Sequence, residues 1–151
     1  MMNHESALDF IIEYRQAGLT LLNSIKGYSS ILRKKGVGKV SDFHGKKLRV
    51  ISDCCEIPWE KWIALTELID HNEPENAIAI LRETDETGKS NIQRNFIDKA
   101  IQSLEIVIAE STALLKEPQL LSNEQLKYVE IIKNDCRREI EIWKEMASHF
   151  S

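Results

Sequence analysis

The stretch SNEQLKYVEIIKNDCRREIEIWKEMASHF, Ser122 to Phe150, decides how this chain folds. Ser122 and Gln125 have the spacing of a capping box, in which the hydroxyl takes an orphan amide and the glutamine reaches back. Leu126, Val129, Ile132, Cys136, Ile140, Trp143, Ala147 and Phe150 then recur every three or four residues. That period draws one apolar stripe along a helix whose other faces carry Lys, Arg, Glu and Asp. At a rise of about 1.5 Å per residue the helix is roughly 40 Å long. One stripe on so long a helix calls for partners of similar length.

Working outward, the rest of the chain supplies them. A first helix is expected from His4 to about Lys35, burying Leu8, Ile11, Ile12, Leu19, Leu22, Ile25 and Leu32. Gly18 and Gly27 interrupt it at about 1 kcal/mol each relative to alanine, and each is read as a close helix approach. Arg33-Lys34-Lys35 suits a helix C-terminus, and Gly36-Val37-Gly38 is its stop. A second helix, Asp42 to His71, carries Leu48, Ile51, Cys55, Trp59, Trp62, Leu65 and Ile69, and is read as one bent element despite Pro58. A short helix from Pro74 to Glu86 follows. Ser90 and Gln93 make a second capping box, opening a helix to Lys116 that buries Ile92, Phe96, Ala100, Leu104, Val107, Ile108, Ser111, Leu114 and Leu115. Long helices joined by short links predict an all-α fold: an up-down four-helix bundle with one short extra helix in the middle connection. The chain divides into two hairpins, about residues 4–71 and 90–150, within a single domain spanning 1–151.

Composition limits the function. Apolar residues make up 42% and charged residues 29%, the profile of a globular chain with a real core. A net charge of −4 argues against the whole surface binding nucleic acid. Cys54, Cys55 and Cys136 cannot all pair, and a vicinal pair makes a poor disulfide, so reduced thiols and a cytoplasmic setting are expected. MMNHESALDF has no basic region followed by an apolar run, which is not the pattern of a signal peptide, and no apolar run is long enough to span a membrane.

Chemistry-bearing residues are sparse. Glu67 with His71, and Glu145 with His149, each share a helix face, but di-iron bundles use Glu-x-x-His, and imidazoles at helix ends are favoured by the dipole alone. His4 is read as standing in a terminus and His44 in a connection. Gly36-Val37-Gly38 stands at a helix C-terminus, whereas phosphate loops need glycine at an N-terminus. No Arg precedes a His by four to six residues, as an RNase of the HEPN type would want. Nor do two helices carry clustered E-x-x-E pairs for magnesium. No catalytic, cofactor-binding or metal-binding residue is therefore assigned.

Candidate partner contacts come from two features. Arg33, Lys34, Lys35, Lys39, Lys46, Lys47 and Arg49 face a single acid, Asp42, over one short region that also holds Phe43. Trp59 and Trp62 are three residues apart, which packing explains unless one is exposed in a partner groove. The candidate partner contacts are Arg33, Lys34, Lys35, Lys46, Lys47, Trp59 and Trp62.

Two stretches resemble the dimerisation and histidine-phosphotransfer hairpin of sensor histidine kinases. LLNSIKGYSSIL, Leu21 to Leu32, is similar to the first helix of that family after its phospho-acceptor, and LLSNEQLKYVEIIKNDCRREIEIW, Leu120 to Trp143, to its second helix. The family's phosphorylated histidine falls on Gln16 here and its usual proline on Leu21. The resemblance implies a relative that kept a bundle, lost the phosphate chemistry, and binds signalling partners or dimerises.

Together these features predict a non-enzymatic helical-bundle protein, a signalling regulator acting through a protein partner or as a homodimer, without cofactor, membrane or nucleic acid. A second reading is a small acidic inhibitor or immunity protein using Glu73, Glu75, Glu83, Asp85 and Glu86 against a toxin or nuclease. A third is a bundle that carries a metal in its core.

Overall fold

The computed structural model describes residues 4–33, 42–82, 96–117 and 121–150. These form five α-helices and no strand: α1 (His4–Arg33), α2 (Asp42–Asp70), α3 (Pro74–Arg82), α4 (Phe96–Leu115) and α5 (Asn123–Phe150). The predicted glycine stop after α1, the Ser90–Gln93 cap, Ile92 and the extension of α3 to Glu86 lie outside the described residues.

The four long helices pack as a ring in the order α1, α2, α4, α5, with α2 facing α5 across the diagonal. Along α1 the partners on α5 fall in number as those on α1 rise: Phe10 meets Phe150, Tyr14 donates to Glu145, Ser24 donates to Asp135, and Tyr28 lies against Tyr128. Between α1 and α2 the order is again reversed, from Arg15 with Thr66 to Lys26 with Glu56 and Ser29 with Leu48. Between α2 and α4 it runs from Lys47 with Glu110 to Lys61 over Phe96. The short α3 packs on the edges of this ring.

Most of the predicted stripes are buried. Ile11, Leu22, Ile25 and Leu32 of α1, Leu48, Ile51, Cys55, Trp62 and Leu65 of α2, and Val129, Ile132, Cys136, Ile140, Trp143 and Phe150 of α5 form one core with α4. Leu126 and Ala147 are only half-buried and Ile12 is exposed, because Gln125, Met146 and Ile11 take the inward positions beside them. The cap of α5 is closed both ways: Gln125 N–H donates to Ser122 Oγ at 3.1 Å, and Ser122 N–H donates to Gln125 Oε1 at 2.8 Å.

Pro58 does not end α2. Proline lacks the N–H that would bond the carbonyl four residues back, and that carbonyl belongs to Cys54. Ser103 Oγ, from α4, donates to Cys54 O at 2.6 Å and fills the vacancy. At its far end α2 closes on Asn72, whose φ of 61° is left-handed. Glu73 N–H bonds Leu68 O at 2.7 Å and Asn72 N–H bonds Ile69 O at 3.1 Å, the two bonds of a Schellman motif.

The two helical glycines differ. A Cβ on Gly18 would stand 2.6 Å from the Trp62 ring, so this glycine is a notch that lets an indole lie on the α1 backbone. Gly27 has open space beside it and marks no close approach, contrary to the reading from spacing. Its cost in helix propensity has no packing return.

Candidate functional site

Among the described residues the most unusual group is Glu139, a glutamate on the core side of α5 with 0% exposure. It stands one position before Ile140 on a helix whose buried face is wider than the apolar residues alone mark out. Trp62 Nε1–H donates to its Oε1 at 2.8 Å from α2, and Trp143 Nε1–H donates to the same oxygen at 3.1 Å from one turn along α5. The two indoles stack, with centroids 4.1 Å apart and planes 27° apart, and Phe96 of α4 meets Trp143 edge-on. Trp62 is backed by Gly18. One carboxyl thus gathers two rings and ties α2 to α5 through the middle of the bundle.

Its electrostatics follow from that position. Burial pushes the Glu139 carboxyl from 4.5 up to about 8, against the two indole donors, which favour the anion. Oε2 is buried and has no hydrogen-bond partner among the described residues. Oε1 is saturated by two donors, so the proton of the neutral acid resides on Oε2. Two thiols lie near enough to feel this group. Burial pushes Cys55 up to about 12 and raises Cys136 further, so both stay protonated, and Cys136 Sγ–H donates to Leu104 O at 3.1 Å. Thiols held in that form are poor nucleophiles and poor metal ligands.

The residues expected to meet a partner are dispersed. Trp62 is a correction: with 0% exposure it belongs to the interior, because Gly18 opens a slot for it and Glu139 supplies an acceptor. Trp59 is half-buried under Lys26, whose ammonium lies 4.8 Å from the ring centroid. Arg33 and Lys46 are exposed, whereas Lys47 is half-buried and paired with Glu110 at 3.0 Å. Lys34, Lys35 and Lys39 lie outside the described residues, so the basic cluster is described only in part. Of the acidic set, Glu73 and Glu75 are exposed and Glu83, Asp85 and Glu86 lie outside the described residues.

The histidine pairs are occupied otherwise. His149 lies against Phe10 with centroids 4.0 Å apart, Glu145 accepts from Tyr14, and the His71 ring sits 2.8 Å from the backbone oxygen of Glu67. No cluster of three or more His, Cys, Asp or Glu among the described residues could hold a metal ion. His44, read as standing in a connection, is buried in the first turn of α2, and burial lowers its pKa.

A surface feature emerges that sequence spacing did not isolate. Lys47, Cys54 and Lys61 of α2 meet Glu110, Ser103 and Phe96 of α4. Val50 and Ile57 sit three residues after Lys47 and Cys54, and Ile106 three after Ser103, so all three share the seam faces of the two helices. They are 37%, 43% and 45% exposed, which places them on the outer rim of one seam. No helix among the described residues is long and apolar enough to cross a membrane. Comparison with protein-family models, with curated proteins and with solved structures finds no match to this chain.

Proposed function

We propose that this chain is a non-enzymatic up-down four-helix bundle that works by docking a protein partner on the seam between α2 and α4. The observation that carries this reading is the alignment of Val50, Ile57 and Ile106 along one rim. Single exposed apolar residues are ordinary, whereas a contiguous strip marks an interaction surface. Lys46 and Arg49 are exposed beside Val50, Asp53 lies between Val50 and Ile57, and Glu105 stands next to Ile106, so the complementary surface is an apolar ridge with a border of mixed charge. The reversed order of contacts between neighbouring helices supports the up-down course. A role in signalling draws support from the packing of Leu21–Leu32 against the α5 portion of Leu120–Trp143, through Ser24–Asp135 and Tyr28–Tyr128. Gln16, where the kinase hairpin has its histidine, is exposed and carries no phospho-acceptor.

The test compares the wild type with an Ile57→Lys/Ile106→Lys variant. Both positions are on the rim, so the circular dichroism of the variant should match that of the wild type. A protein co-purifying with the wild type and lost from the variant supports the seam. Light scattering at two concentrations and two salt levels distinguishes a second copy of this chain from a different protein. A partner bound equally by both proteins, or no association in either assay, overturns the reading.

A further inference from the structure

We propose that Glu139 and its two indole partners form a proton-operated latch: the neutral acid ties α2 to α5 across the core, and loss of the proton lets the middle of the bundle part. This goes beyond the docking surface and does not depend on it.

The geometry carries the inference. Helices α2 and α5 are diagonal in the ring, so the Trp62–Glu139 hydrogen bond and the Trp62–Trp143 stack are contacts through the centre. Both donors converge on Oε1, leaving Oε2 buried without a partner. A neutral acid leaves one hydroxyl unmatched there, at a cost of about 1–3 kcal/mol. An anion gains from both indole donors at Oε1 but leaves part of a full charge at Oε2 with no donor, which a protein interior tolerates far less. Burial outweighs the indoles. Trp62 cannot retreat from that charge, because Gly18 already lies against its ring. Water must therefore reach Oε2, and the route is separation of α2 from α5.

Among the described residues around the latch, Glu139 is the one buried acid. From α2 and α5 the thiols of Cys55 and Cys136 are kept protonated by burial. On α5, Asp135 accepts from Ser24, while Arg137, Arg138 and Glu141 are exposed. On α1, Arg15 donates to Thr66, and Lys26 is engaged with Glu56 and Trp59. From α4, Leu104 and Phe96 face the cluster, while Asp98 and Lys99 are exposed.

The experiment follows the glutamate carboxyl carbons and the tryptophan indole N–H signals by NMR through neutral to alkaline pH. The Glu139 carboxyl is expected to titrate near about 8, with the Trp62 and Trp143 signals moving on the same curve and Trp59 unmoved. Alkylation of Cys136 is expected to run several-fold faster in the wild type than in Glu139→Gln on the alkaline side, and equally on the acid side. Glutamine keeps the oxygen acceptor and cannot titrate. A Glu139 carboxyl that titrates with the exposed glutamates overturns the latch. So do indole signals that stay fixed through its titration, or equal alkylation in both proteins at every pH. The NMR arm uses the wild type alone, so the test stands even where the variant folds poorly.

Discussion

Ser103 is the residue whose hydroxyl replaces a missing backbone donor. With Pro58 in place, Ser103→Ala strands the half-buried Cys54 carbonyl, and a loss of about 1 kcal/mol or more is expected in urea unfolding. With Pro58→Ala, residue 58 regains an N–H for that carbonyl, so the same serine change should cost about 1 kcal/mol less. Additive losses across this double-mutant cycle would show that the serine does not serve the proline. Gly18→Ala is expected to destabilise by about 1–3 kcal/mol, because the new methyl meets the Trp62 ring and neither neighbour can yield freely. A melting temperature equal to wild type would contradict the notch. These residues differ in how far the sequence revealed them. Pro58 and Gly18 stand out as breaks in a helical pattern, although what fills each break is a residue distant in the chain. Glu139 was hidden: a glutamate beside an isoleucine on a charge-rich helix reads as solvated face. Only two tryptophans arriving from different turns and helices make it interior.

At the scale of elements, periodicity was a sound guide. Ser122–Phe150 is helical from Asn123 with its capping box closed, and α2 does continue through Pro58 as one element. Ser122→Ala removes the acceptor for Gln125 N–H, and a loss of about 1 kcal/mol is expected. Hydrogen exchange should locate it in the first turn of α5, and protection unchanged there would argue against the cap. The stripe itself was read too narrowly. An apolar count finds Val129, Ile132, Cys136 and Ile140 but passes over Gln125 and Glu139, since a four-helix core packs a face wider than one row. The candidate site fared differently from the fold. Basic residues and tryptophans were chosen by type, yet Trp62 went inward for want of a side chain at Gly18. The exposed seam went unnoticed because Val50 and Ile57 lie on α2 and Ile106 on α4, and only the pairing of those helices brings them to one rim.

For the whole molecule, Glu139 fixes how stability depends on pH. Its folded pKa lies above the unfolded one, so the folded state binds this proton more tightly. The stabilisation is complete below about pH 4.5, declines as the unfolded chain ionises, and is gone once the folded acid ionises near about 8. A shift of that size corresponds to roughly 5 kcal/mol. Glu139→Gln is therefore expected to gain on the wild type steadily in urea midpoint across that window and to converge with it at the acid end. Parallel profiles would remove the buried carboxyl from the account. The bundle thus keeps its most costly group at its centre, where α1, α2, α4 and α5 all bear on it directly or through one ring. The stacked indoles there have a further consequence. Two identical chromophores held 4.1 Å apart at a fixed angle couple their electronic transitions. The folded chain should therefore show a paired positive and negative band in ultraviolet circular dichroism. That signature belongs to Trp62 and Trp143 together and would vanish with either one, giving the closed core a spectroscopic mark of its own.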